Sequence, residues 1–80
     1  MTRQEVIEIT NSFLIEEIEI EEGVLNEQAS LKDDLGIDSL DFVDIVVIVE
    51  RNFGFKIKPE EMSGVTTLGA FYDYIFSKVG

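Results

Sequence analysis

The sequence predicts an all-α domain, a small bundle of three main helices plus one short helix. Three observations carry this. Apolar residues recur at helical spacing in three separate segments, each segment opens on a residue type that caps helices, and a single Pro and six Gly in 80 residues leave room for long helices. The length fits one domain, residues 1–80, with a thin core. There is no internal repeat, low-complexity tract or linker.

The first helix is expected from Thr2 to about Leu14. Thr2 with Glu5 three residues on forms a capping box, in which hydroxyl and carboxylate each accept a backbone N–H of the other residue. Val6, Ile9 and Phe13, flanked by Ile7 and Leu14, make one apolar face. Glu17-Ile18-Glu19-Ile20-Glu21 then alternates like a strand. A lone strand has nothing to pair with, so the expectation is a helix end running into a loop, with Gly23 stopping any regular element. Val24 to Ile37 is expected as a long ordered loop pinned by Val24, Leu25, Leu31, Leu35 and Ile37. Loops of this length in a compact domain are often functional.

The second helix is expected from Asp38 or Ser39 to about Asn52. Asp38 is a good N-cap, Asp41 adds negative charge to the first turn, and Gly54 supplies a stop. Leu40, Phe42, Val43 and the run Ile45 to Val49 exceed a single core-facing stripe. The run is β-branched throughout, which weakens helix propensity and makes a strand a local rival. The cap, the length and the flanking acids favour helix. Phe55 to Ile57 reads as extended and Lys58 to Met62 as the short helix, with Pro at its first position. Thr66 or Thr67 caps the last helix, whose Leu68, Phe71, Tyr72, Ile75, Phe76 and Val79 form the clearest amphipathic pattern.

Composition narrows the chemistry. Without Cys there is no disulfide, thiolate nucleophile or Cys-based metal site, and without His the commonest general base and metal ligand are missing. The net charge of −11 opposes binding to nucleic acid and to anionic membrane surfaces, and favours partners with basic patches. From Glu16 to Asp44 eleven acids face only Lys32. Such a run is either a solvated face or a docking surface. No apolar run nears the roughly 18 residues of a membrane span, the longest being Ile45 to Val49. No signal peptide follows Met1, so a soluble cytoplasmic protein is expected.

The informative stretch is Leu35-Gly36-Ile37-Asp38-Ser39-Leu40-Asp41. It follows an acidic loop and opens an apolar-rich helix. Phe53-Gly54-Phe55-Lys56-Ile57, Pro59-Glu60-Glu61-Met62 and a Thr66-Thr67-capped helix come after it. This order resembles the acyl carrier protein family over essentially the whole chain, Thr2 to Val79. The resemblance implies that the Ser39 hydroxyl is esterified to the phosphate of 4'-phosphopantetheine, installed from coenzyme A by a phosphopantetheinyl transferase. The arm ends in a thiol that holds acyl groups as activated thioesters, and a chain without Cys takes its working sulfur from the arm. No His-type base can activate Ser39 and no triad can be assembled, so Ser39 reads as an attachment point, with no catalytic residue and no metal site expected. Taken as a bare tripeptide, Asp38-Ser39-Leu40 would more simply contain a capping serine. The surrounding order favours attachment.

The resemblance also implies a docking face on the second helix. Asp38, Asp41, Asp44 and Glu50 would meet Arg and Lys on acyl-transferring and chain-elongating enzymes, beside apolar contacts from Leu40, Val43 and Val47. Core packing is the competing role for these three, evenly so for Val47. Phe42, Val46, Met62, Val65 and Leu68 are candidates to line a space for the acyl chain, with ordinary core packing the alternative for each. Arg51, Lys56, Lys58, the bulk of Phe42 and the Val/Ile-rich second helix depart from the family pattern. They leave Ser39 untouched and open the choice between general fatty-acid and specialised lipid or secondary-metabolite synthesis. An aminoacyl or peptidyl carrier is usually less acidic. An unmodified docking-only protein of the same fold sits poorly with an intact Asp38-Ser39-Leu40. Asp33 to Asp44 lacks the ligand order of an EF-hand, and nothing indicates a pocket for a carboxylate enzyme. A monomer suits a shuttle that exposes its arm.

Overall fold

The computed structural model describes all residues, Met1–Gly80. Helix α1 (Arg3–Glu16), a 3₁₀ turn (Glu22–Val24), helix α2 (Ser39–Phe53), a second 3₁₀ turn (Pro59–Glu61) and helix α3 (Leu68–Val79) follow in order. No strand forms, and the one sheet-like pairing is an isolated antiparallel bridge between Ser30 and Thr67. The all-α bundle is therefore as expected, while the short extra helix is only a 3₁₀ turn. Its N–H groups reach back three residues, Glu61 to the Lys58 carbonyl (2.9 Å) and Met62 to that of Pro59 (3.0 Å). Pro59 donates nothing, and so short a segment cannot repay the cost of nucleating an α-helix.

Local chemistry sets the helix ends. The Glu5 N–H donates to Thr2 Oγ1 (3.2 Å) while the Thr2 N–H donates to Glu5 Oε1 (2.9 Å), completing the first capping box. The Ala70 N–H donates to Thr67 Oγ1 (3.2 Å), so Thr67 is the cap of α3. Helix α2 stops at Gly54, whose left-handed φ of 77° suits a residue without Cβ. Helix α1 continues past Leu14 to Glu16, and the alternating stretch then folds back on it. The Ile18 and Ile20 N–H groups donate to the carbonyls of Phe13 (3.2 Å) and Leu14 (2.9 Å), with Glu19 at a φ of 65° making the reversal. Those backbone groups are spent on the helix end and leave no strand. Gly23 does not end regular structure as expected but sits inside the first 3₁₀ turn. A turn this short sums little of the entropic cost that Gly brings to a longer helix.

The core draws Val6, Phe13 and Leu14 from α1, Ile45, Ile48 and Val49 from α2, and Leu68, Phe71, Tyr72 and Ile75 from α3. The β-branched run is helical because spacings of three and four put Ile45, Ile48 and Val49 on the buried face. Burying each such side chain contributes about 1.5–3 kcal/mol, against a propensity cost of at most about 0.7 kcal/mol per residue. Leu35 of the long loop is buried, as is Ala29, which the pattern did not single out; Val24, Leu25, Leu31 and Ile37 are half-buried against the core.

That loop is tied to the start of α3. The Leu31 N–H donates to the Thr66 carbonyl (3.0 Å), Leu68 to Ala29 (2.9 Å) and Gly69 to Glu27 (3.0 Å). A Cβ on Gly69 would lie 2.9 Å from the Glu27 carbonyl oxygen. Gly69→Ala therefore pries the loop from α3, and an urea midpoint should register a loss of about 1–3 kcal/mol. Arg3 adds a second tie, bonding Glu27 (2.6 Å) and Asp73 (2.8 Å) and so linking α1, loop and α3. The hydrogen bond from Arg3 holds the Glu27 carboxyl below its ordinary 4.5. A group with a depressed folded value stabilises above its unfolded value and loses that contribution as pH falls through the depressed one. Urea midpoints of wild type and Arg3→Gln should thus differ at neutral pH and converge only as pH falls through the depressed Glu27 value.

Candidate functional site

The N-terminus of α2 gathers the residues of interest. Asp38 is extended and its Oδ1 accepts from the N–H groups of Leu40 (3.0 Å) and Asp41 (2.9 Å). In return the Asp38 N–H donates to Asp41 Oδ2 at 3.5 Å. The cap is thus made by the two aspartates. Ser39 is the first helical residue, exposed, and its hydroxyl takes part in none of these bonds. A capping role for Ser39 is excluded by Asp38 already filling it. What remains is an uncommitted primary hydroxyl on a capped helix end, with no base bonded to it. It can be esterified by an outside enzyme but has nothing to make it a nucleophile by itself.

Beside Ser39 opens an apolar cleft of about 600 Å³, walled by Leu31, Lys32, Gly36, Ile37, Asp38, Phe42, Met62 and Val65. Of the expected lining residues, Phe42, Met62 and Val65 are on this wall. Val46 is half-buried against the core and off it. Leu68 is fully buried, because the loop that its N–H binds at Ala29 lies over it. The wall residues outside the expected lining come from the loop and from the Asp38 cap that follows it. Leu31 and Ile37 were expected only to pin the loop; the same apolar character serves the cleft.

Leu40, Val43 and Val47 are 77%, 61% and 58% exposed, a stripe along α2 opposite its core face. Val47 therefore belongs to the surface and not to the core. Asp44 and Glu50 are exposed on the same helix and make no ion pair, while Asp38 and Asp41 are engaged in the cap. Arg51, the basic residue at the end of α2, is bound by Glu17 at 2.6 Å, so its charge is offset within the chain. No group of three carboxylates converges as a metal-holding cluster, and no helix is long and apolar enough to cross a membrane.

Comparison with known proteins agrees with this geometry. The family described as "Phosphopantetheine attachment site" matches residues 12–75, a span that contains Ser39, the cleft and the α2 surface. An acyl carrier protein of Thermotoga maritima is 37% identical over 79 residues, covering 99% of this chain and 98% of its own length. An acyl carrier protein of Prochlorococcus marinus is 31% identical over 80 residues, covering all of both chains.

Proposed function

The chain belongs to the acyl carrier protein family, with 4'-phosphopantetheine as its cofactor, and from that premise we propose that Ser39 is the residue bearing the arm. The observation that carries this is the free, exposed Ser39 hydroxyl, released from capping duty by Asp38. The positive end of the α2 dipole favours a phosphate attached at that position. When bound, the group supplies the thiol that holds acyl cargo as a thioester and that this chain lacks. The protein itself contributes attachment, presentation and shelter, and no catalytic residue. Leu31, Ile37, Phe42, Met62 and Val65 give an acyl chain a dry surface within reach of Ser39's cleft.

A carrier of this kind works with a phosphopantetheinyl transferase and with biosynthetic enzymes. The α2 stripe of Leu40, Val43 and Val47, flanked by Asp44 and Glu50, is the surface we assign to them. Exposed charges that meet Arg and Lys on a partner speed encounter while adding little to the lifetime of the complex. Fast, weak docking is what a shuttle between enzymes requires. The acyl carrier relatives favour acyl over aminoacyl cargo.

The test is to load the chain from an acyl-coenzyme A with Mg²⁺ and a promiscuous transferase. One acyl-arm mass should be gained, and neutral hydroxylamine should remove the acyl group and leave the arm. Failure of folded, initially unmodified protein to gain the arm would overturn the assignment in favour of a docking-only protein.

A further inference from the structure

Resting on Ser39 as the attachment residue, we propose that Lys32 is the counter-ion of the phosphodiester joining the arm to the protein, and so a positioning residue for the arm's root. The cleft beside Ser39 is mostly apolar, and Lys32 is the one cation in its wall. It is also the one cation among the eleven acids between Glu16 and Asp44.

Despite those neighbours Lys32 has no carboxylate partner. Of the six basic side chains, Arg3, Arg51 and Lys78 are tied into ion pairs, whereas Lys32 is not. The Asp34 carboxylate, close in sequence, is turned back into the loop, where it accepts the Ser30 N–H at 2.7 Å. Lys56 and Lys58 are likewise unpaired, but neither lines the cleft.

The segment carrying Lys32 is held in place. The Asp33 N–H donates to Ser30 Oγ (3.1 Å), the Leu35 N–H to the Ser30 carbonyl (3.0 Å) and the Leu31 N–H to Thr66 (3.0 Å). The lysine stem can lie along the apolar wall while the ammonium stays at the water-facing rim. A phosphodiester on Ser39 brings a negative charge beside the carboxylates of Asp38 and Asp41. A cation in the same cleft wall relieves that repulsion and favours an arm root turned toward the cleft. The shared chemistry is an anion at the cleft mouth. The phosphodiester is the source favoured here because its covalent bond fixes it at Ser39, in the same cleft wall as Lys32, whereas the far end of a cargo is fixed by nothing in the chain.

The experiment uses the whole chain, with the arm first confirmed on Ser39 by mass, so that a failure of attachment is seen separately. Side-chain ammonium NMR signals are then compared before and after attachment, and the ³¹P line of the arm is followed in variants. The Lys32 signal should move on attachment and that of Lys56 should not. The ³¹P line should sharpen in Lys32→Gln, regain its width in Lys32→Arg, and sharpen in the wild type at high salt as the pair is screened. An unmoved Lys32 signal, or an unchanged ³¹P line in Lys32→Gln, overturns the proposal. A Lys32 shift that appears only when the thiol carries a carboxylate-ended acyl group also overturns it, assigning the lysine to cargo.

Discussion

A Ser39→Ala variant should take up no arm and should unfold at a urea concentration no lower than that of the wild type. The first half follows from chemistry, since a methyl group offers no oxygen to esterify. The second follows from geometry. The Ser39 side chain is exposed and makes no bond of the cap, so its loss leaves no orphaned partner. Ala is also the better helix former, by up to roughly half a kcal/mol. Asp38→Ala is the informative contrast. It removes the acceptor of two backbone N–H groups and should cost about 1 kcal/mol, while the hydroxyl persists and still accepts the arm. If Ser39→Ala were as destabilised as Asp38→Ala, Ser39 would be a structural cap. If it still gained an arm, another serine would be the site.

Phe71→Ala and Val43→Ala should separate folding from docking. Phe71 is 2% exposed, so truncation leaves a cavity and costs about 3–5 kcal/mol. A domain of this size sits near the lower end of the usual 5–15 kcal/mol or so, and such a loss consumes most of its margin. Val43 is 61% exposed, and its truncation should shift stability by no more than about 0.5 kcal/mol. Its effect belongs in kcat/KM for the transferase, which should fall several-fold with the urea midpoint unchanged. A Val43→Ala protein that is clearly destabilised but modified at the wild-type rate would return Val43 to the core and remove the docking role of the stripe.

These contrasts show which features the sequence could express. Caps were legible because a cap is a local event: Thr2 with Glu5 and Asp38 each act within three residues, and the choice between Thr66 and Thr67 falls to Thr67. The helical spacing in α3 was equally plain, and Leu68, Phe71, Tyr72 and Ile75 are buried. In α2 the surplus of apolar residues was visible but its division was not. Ile45, Ile48 and Val49 form one stripe and Leu40, Val43 and Val47 another, and only the position of α1 and α3 decides which is core. The loop was least legible. Its path depends on bonds from Leu31 to Thr66 and from Gly69 to Glu27, between residues more than thirty apart in sequence. That path sends Leu31, Lys32 and Ile37 into the cleft wall and covers Leu68. The reversal at Glu19 was hidden for another reason, since a glutamate at positive φ leaves no mark in a pattern of hydropathy.

The central claim is that this chain carries one phosphopantetheine arm, on Ser39. The most direct test is peptide-level fragmentation of wild-type protein after incubation with coenzyme A, Mg²⁺ and a phosphopantetheinyl transferase. A single arm per chain, located on Ser39, is the predicted result. An arm on Ser12, Ser30, Ser63 or Ser77, or none on protein shown to be folded, would contradict it.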